Sequence, residues 1–209
     1  PKVAGEWRSD GLKPHGQHLN GVAPCHNPAH NHARPEEFFE KLQDFWKAMY
    51  DEVMAINPEA IVEICPCGDS FAFHNIPAMN NTPAADPTSS WQVRLKGKTF
   101  KALMGPSAPF AGDHGEMADT RDDFASTYGI GAIPSTKFTW PEDTPNPTDP
   151  LPPGGFKLTA AKEVLWRKWI DLYRANMLAK GKYLGGLYDI GLDRPEGHAS
   201  QKDGALHNA

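Results

Sequence analysis

The chain has 209 residues, a formal charge of −5, 39% hydrophobic and 22% charged residues, the profile of a globular protein large enough for one or two cores. Nothing favours nucleic acid: the basic run Arg94, Lys96, Lys98, Lys101 sits in an acidic chain without an aromatic ladder and reads as a solvated face. No apolar run reaches the ~18 residues of a membrane-spanning helix, and three cysteines make no disulfide framework, so the redox compartment stays open.

The chain begins at Pro1 with no charged-then-apolar leader, so any targeting signal is expected outside it, and the chain is expected to be part of something longer. Residues 1 to 33, rich in Gly, His, Asn and Pro, read as a strand end followed by a long loop of the kind that carries function. Pro35 is placed to open a helix, along which Phe38, Phe39, Leu42, Phe45, Trp46, Met49, Tyr50 and Val53 recur at helical spacing as far as Ile56. Asn57-Pro58 stops it. The β-branched run Ala60 to Pro66 then reads as a strand buried on both faces, completing an α/β unit.

Phe71 to Asn80 reads as loop with a helical turn, and Ala84-Ala85-Asp86 as a very short strand. Thr88, Ser89 or Ser90 can cap a helix carrying Trp91, Arg94 and Leu95, weakened at Gly97. Lys101 to Pro106 and Pro109 to His114 are expected to give another strand and its loop, Arg121 to Gly129 a short helix, and Ile130 to Trp140 a final strand. A Pro-rich excursion covers Pro141 to Gly155. Thr159 caps a long amphipathic helix with Val164, Leu165, Trp169, Leu172, Tyr173 and Met177, ended near Gly181. From Tyr183 short extended pieces and the turn Asp203-Gly204 suggest hairpins of a separate β module.

Chemistry is expected in the stretch Thr82 to His114, which gathers Asp86, Trp91, Arg94, Asp113 and His114. Asp86 reads either as a helix N-cap or as a general acid/base at a strand end. Arg94 either forks onto substrate hydroxyls or pairs with a surface carboxylate. On the Ala60 to Pro66 strand, Glu63 and Cys65 share the face opposite Val62 and Ile64, and Pro66-Cys67-Gly68 forms a turn that brings backbone near a ligand. Lys13 and His15 share one face, with Asp10, Leu12 and Pro14 on the other. Trp140 and Lys137 either floor a sugar site or pack beneath the Pro-rich loop. Cys25, His26, His30, His32, Cys65 and Cys67 form a donor list for zinc, but C-x-C without a second matched pair is a weak signal and no metal is expected.

Asp10-Gly11-Leu12-Lys13, EICPCG, ADPTSSWQVR and GPSAPFAGDH, in that order and spacing over most of residues 9 to 195, resemble the α-galactosidase (melibiase) group of glycoside hydrolase family 36. The resemblance implies an α/β fold: residues 1–180 as the C-terminal half of a (β/α)8 TIM-type barrel, about strands 4 to 8, and 181–209 as the start of a β-sandwich. It implies a retaining glycosidase acting on terminal α-galactosides, without cofactor or metal. Its partners would be the glycoside and the missing N-terminal half of the same protein.

By the same resemblance Asp86 looks like the general acid/base, Arg94 like a contact to sugar hydroxyls, Lys13 like a lysine touching the sugar, and Cys65 with Gly68 like pocket wall. Trp91 and His114 join them as substrate contacts. The family's nucleophilic Asp follows the lysine in a K-x-D pattern, but here that slot holds His15, beside a Pro14 that removes a ladder hydrogen bond. Asp10 lies on the opposite face, so loss of activity, a site rebuilt on a carboxylate such as Asp113, or an error at two single-base changes are the alternatives. Two adjacent misfits favour decay or error. The remaining readings are a non-catalytic carbohydrate-binding remnant and a zinc-dependent hydrolase using the Cys and His cluster.

Overall fold

A computed structural model describes residues 2–14, 23–65, 73–82, 90–111, 124–135, 159–189, 191 and 195–209. The chain divides into two units, Pro1–Ala84 and Ala85–Ala209. No helix among the described residues is long and apolar enough to cross a membrane.

In the first unit a single π turn, Lys2–Glu6, precedes β1 (Gly11–Leu12). After a long connection come α1 (Glu37–Glu40), α2 (Leu42–Ile56) and β2 (Ile61–Val62). β1 and β2 pair in parallel, Gly11 opposite Ile61 and Leu12 opposite Val62, so the expected α/β unit is present. The backbone bonds run past the assigned strands: the N–H groups of Ile61, Glu63 and Cys65 donate to the carbonyls of Asp10, Leu12 and Pro14 at 2.9, 3.0 and 2.8 Å. In a parallel ladder a residue that accepts from one strand also donates to it. Pro14 accepts but has no N–H to return, which is why the regular pairing stops at Leu12.

Two features of the expected helix differ. Pro35 lies ahead of α1 rather than at its first position, with its carbonyl taken by the Cys25 N–H at 3.0 Å. The helix is also divided at Lys41, which belongs to neither α1 nor α2 although its φ of −78° and ψ of −5° stay in the right-handed helical region. Val53 and Val62, 4% and 0% exposed, form the core with Ala4 and Ala60, flanked by Leu12, Met49, Tyr50 and Met54. Burial on that scale contributes roughly 1.5–3 kcal/mol per valine. Only part of the stripe is buried: Trp46 and Val53 are covered, whereas Phe38, Phe45 and Ile56 are exposed.

The opposite edge of β2 is occupied as well. After a 3₁₀ turn, Phe73–Ala78, the N–H groups of Asn80 and Asn81 both donate to the Val62 carbonyl at 3.1 and 3.2 Å. The Asn80 side chain completes the pairing, accepting from the Val62 N–H and donating to the Ala60 carbonyl, both at 2.8 Å. One amide thus acts as a peptide unit of a neighbouring strand. The successive segments β1, β2 and 80–82 are added toward the same side.

In the second unit α3 (Ser90–Met104) is longer than the sequence suggested. Lys101 to Met104 form its last turn and not a strand, and the helix ends at Gly105, whose φ of +106° suits glycine. Gly97 is no weak point, because its missing side chain lets Ile130 and Phe110 pack onto the helix where any Cβ would collide. α4 (Ala125–Gly129) matches the expected short helix. The strand expected at Ile130 to Trp140 is not formed in its described part: 130–135 makes a turn at Gly131 (φ +64°) and a bond from Ile133 N–H to the Phe110 carbonyl at 2.7 Å.

α5 (Ala160–Asn176) is capped as expected, with the Thr159 hydroxyl accepting from the Lys162 N–H at 3.2 Å. It packs on the α4 region through Phe124 against Trp166 and Tyr128 against Trp169. The expected hairpin is formed by β4 (Ala199–Lys202) and β5 (Ala205–Asn208), with β3 (Lys182–Tyr183) on the other edge of β4 in an antiparallel sheet, all within the second unit. Its turn has positive φ at both Asp203 (51°) and Gly204 (78°), the tight-hairpin signature. Within Gly185 to Asp193, the described residues form a turn rather than strands.

Candidate functional site

Strand parity assembles one site in the first unit. Leu12 and Val62 face the helix, so Gly11, Lys13, Glu63 and Cys65 project from the other face of the sheet. Lys13 Nζ lies 3.5 Å from Glu63 Oε1, and Glu63 Oε2 accepts from Asn81 Nδ2 at 2.5 Å. Glu63 is 9% exposed and Cys65 fully buried beside it. Asp10, Gly11, Leu12, Lys13, Ile61 and Glu63 line a cleft of about 320 Å³, within the range of small-molecule sites.

Two further polar atoms belong to Asn81 and its neighbour Thr82. Asn81 Oδ1 and Thr82 Oγ1 are buried without a hydrogen-bond partner among the described residues. Buried polar atoms are nearly always paired, so these two mark a place where a further polar group belongs. The face offers a lysine donor held against a buried carboxylate, with the Asn81 amide alongside: the equipment for fixing a polyhydroxylated ligand.

The second unit gathers a different cluster. Glu196 Oε2 accepts from Lys98 Nζ at 2.7 Å, and Glu196 Oε1 lies 3.3 Å from Arg94 Nε and accepts from the Gly191 N–H at 3.1 Å. Arg94 also donates through Nη1 to Ser126 Oγ at 2.8 Å, and Lys98 to the Asp189 carbonyl at 2.5 Å. Burial raises the Glu196 carboxyl, but Lys98, Arg94 and the Gly191 N–H outweigh it and hold it below the usual carboxylate range.

His198 is lowered by burial and by the Lys98 charge, so it is neutral near pH 7. Its Nε2 lies 3.9 Å from Glu196 and its Nδ1 3.0 Å from the Tyr183 hydroxyl, an arrangement suited by a proton on Nε2 with Tyr183 donating to Nδ1. Burial, then Glu196 and Asp189, push Tyr183 up to about 12, which keeps that hydroxyl protonated. Burial brings Lys101, which donates to the Ala108 carbonyl at 3.0 Å, down to about 8. Arg94, Ser126, Gly129, Glu196 and His198 line a cleft of about 370 Å³.

The predicted residues fall in different units. Lys13 and Cys65 share the sheet face of the first unit, while Trp91, 39% exposed, and Arg94 stand on α3 of the second. His15, Gly68, Asp86 and His114, with Asp113, Cys67, Lys137 and Trp140, lie outside the described residues. The basic run is not the solvated face expected of it, since Lys98 and Lys101 are 2% and 4% exposed. Sequence reasoning missed Asn80, Asn81, Glu196 and His198. An Asn-Asn pair carries no motif, and Lys98 and Arg94, the cations that pair with Glu196, lie about a hundred residues away in the chain.

No family model matches the chain. A curated protein of Flavonifractor plautii, A type blood alpha-D-galactosamine galactosaminidase, is 31% identical over 208 residues, covering 100% of this chain and 17% of its own length. The chain thus spans about a sixth of that relative, and along its own whole length it is similar to part of a glycosidase.

Proposed function

We propose that residues 1–180 form the C-terminal half of a (β/α)8 barrel and 181–209 the first strands of a β-sandwich, within a family 36-type retaining glycosidase that removes terminal α-linked galactose or galactosamine. The observation that carries the reading is the parallel β1–β2 pair joined through α1 and α2, with the 80–82 segment added on the next edge, which is the βα repeat of which a barrel is built. The similarity to a galactosaminidase supports it. Lys13 would then hold a sugar hydroxyl, with Cys65 and Gly68 as pocket wall and Arg94, Trp91 and His114 bordering the sugar. Asp86 would protonate the leaving oxygen and later deprotonate the attacking water.

Retention needs a second carboxylate about 5–5.5 Å from the first to form the glycosyl-enzyme ester. His15 stands in that slot and cannot form an ester, so the chain as it stands would bind glycosides without turning them over. That residue is also what favours the second reading, a carbohydrate-binding remnant. A full-length version carrying His15→Asp is expected to hydrolyse an aryl α-galactoside or α-galactosaminide on the order of 10³-fold or more faster than the His15 form, the scale lost when a covalent nucleophile is removed. No turnover by the His15→Asp protein would refute the hydrolase reading. Galactose-dependent tryptophan fluorescence in the His15 form, without hydrolysis in either, would establish the remnant.

A further inference from the structure

The long connection between β1 and α1 holds a cluster that the glycosidase reading does not use. A sulfur or nitrogen atom from each of Cys25, His30 and His32 lies within 4.8 Å of the others. Cys25 Sγ is 3.1 Å from His30 Nδ1, and the two histidine rings meet edge to face at 5.9 Å between centroids. His32 Nε2 is buried and has no hydrogen-bond partner among the described residues, although the rest of the loop is largely exposed. A buried imidazole nitrogen left without a hydrogen bond, beside a thiol and a second imidazole, is the donor arrangement of a metal centre.

The surrounding backbone is shaped for it. Asn27 Oδ1 accepts from the Ala29 N–H at 3.0 Å, forming the turn after which His30 Nδ1 stands 3.1 Å from Cys25 Sγ. The Cys25 N–H bond to the Pro35 carbonyl at 3.0 Å closes the base of the loop. From Zn–S and Zn–N bonds of about 2.3 and 2.0 Å, tetrahedral ligands stand roughly 3.5 Å apart. Cys25 Sγ and His30 Nδ1, 3.1 Å apart, already stand near that spacing.

We propose that Cys25, His30 and His32 bind one zinc ion, which clips residues 25 to 32 into a ring on top of the Cys25–Pro35 closure and orders this connection. The ion prefers this thiolate-and-imidazole set, and binding releases the thiol proton, so affinity rises with pH. With three protein ligands, a fourth position is open to water.

The test uses the 209-residue chain under reducing conditions, stripped with chelator and titrated with zinc alone and with cobalt(II). One equivalent of zinc is expected, and the cobalt form is expected to show a thiolate-to-metal charge-transfer band with tetrahedral visible bands. Cys25→Ser is expected to abolish the charge-transfer band and His32→Ala to weaken zinc at least about tenfold, with the circular dichroism of both unchanged. His26→Ala, outside the cluster, is expected to retain full binding. Absence of stoichiometric zinc, or a charge-transfer band that survives in Cys25→Ser, would overturn the assignment.

Discussion

Replacing Glu196 by Ala is expected to destabilise the second unit by about 3–5 kcal/mol, the cost of leaving buried cations without their counter-ion. Lys98, with its side chain 1% exposed, would keep only the Asp189 carbonyl as a partner among the described residues, while Arg94, 21% exposed, can turn toward water. The double variant Glu196→Ala with Lys98→Met is expected to recover most of the loss, because an apolar side chain of similar volume carries no charge to satisfy. Urea midpoints of the four proteins in this cycle measure the coupling. A single-variant shift below about 1 kcal/mol would show that Glu196 is dispensable.

Acid is expected to act on the same cluster in two stages. The folded-state pKa of His198 lies below its ordinary 6.5, so the unfolded chain takes up a proton first and stability falls as pH drops from 6.5 through the folded value. Glu196 is held below its ordinary 4.5, so its contribution is present above 4.5 and lost as pH falls through its own folded value. Glu196→Ala removes the second stage.

In the His15→Asp background, Asp86→Asn is expected to lower turnover of alkyl glycosides by about 10²–10⁴, the usual worth of general acid/base catalysis. A nitrophenyl leaving group needs little protonation, so formation of the glycosyl-enzyme should lose much less with that substrate. The alkaline limb of the pH–rate profile, which reports the protonated acid, should disappear. If instead Asp86 only caps the following helix, Asp86→Asn keeps a good capping side chain and changes neither ratio nor profile, whereas Asp86→Ala costs about 1 kcal/mol of stability. Comparing the two leaving groups decides between the readings.

What was legible in the sequence was local or periodic. The alternation along Ala60 to Cys65 placed Glu63 opposite Val62, and that along residues 10 to 14 placed Lys13 opposite Leu12, as the Lys13–Glu63 pair and the core made by Val62 and Leu12 show. The Thr159 cap and the Asp203-Gly204 turn are short-range chemistry and appeared as read. The misses were tertiary. Gly97 weakens an isolated helix, but here it is the notch that Ile130 and Phe110 fill, so packing carries α3 on to Met104. Lys98 and Lys101 looked solvated because the acceptors that take their ammonium groups out of water, Glu196, Asp189 and Ala108, form no pattern with them along the chain. Phe38 and Phe45 show the converse, a core-like stripe that this stretch of chain leaves exposed.

The Asn80 side chain gives β2 an unusual property in hydrogen exchange. The amides of Ile61, Glu63 and Cys65 are protected by the backbone of residues 10–14, whereas the intervening amide of Val62 is protected by a side chain, Asn80 Oδ1. Adjacent amides on one strand thus time two different openings: separation of the parallel pair on one edge, and a rotamer change or undocking of residues 80–82 on the other. Asn80→Ala is expected to accelerate exchange at Val62 first, leaving Glu63 near its original rate and turning one strand into two clocks.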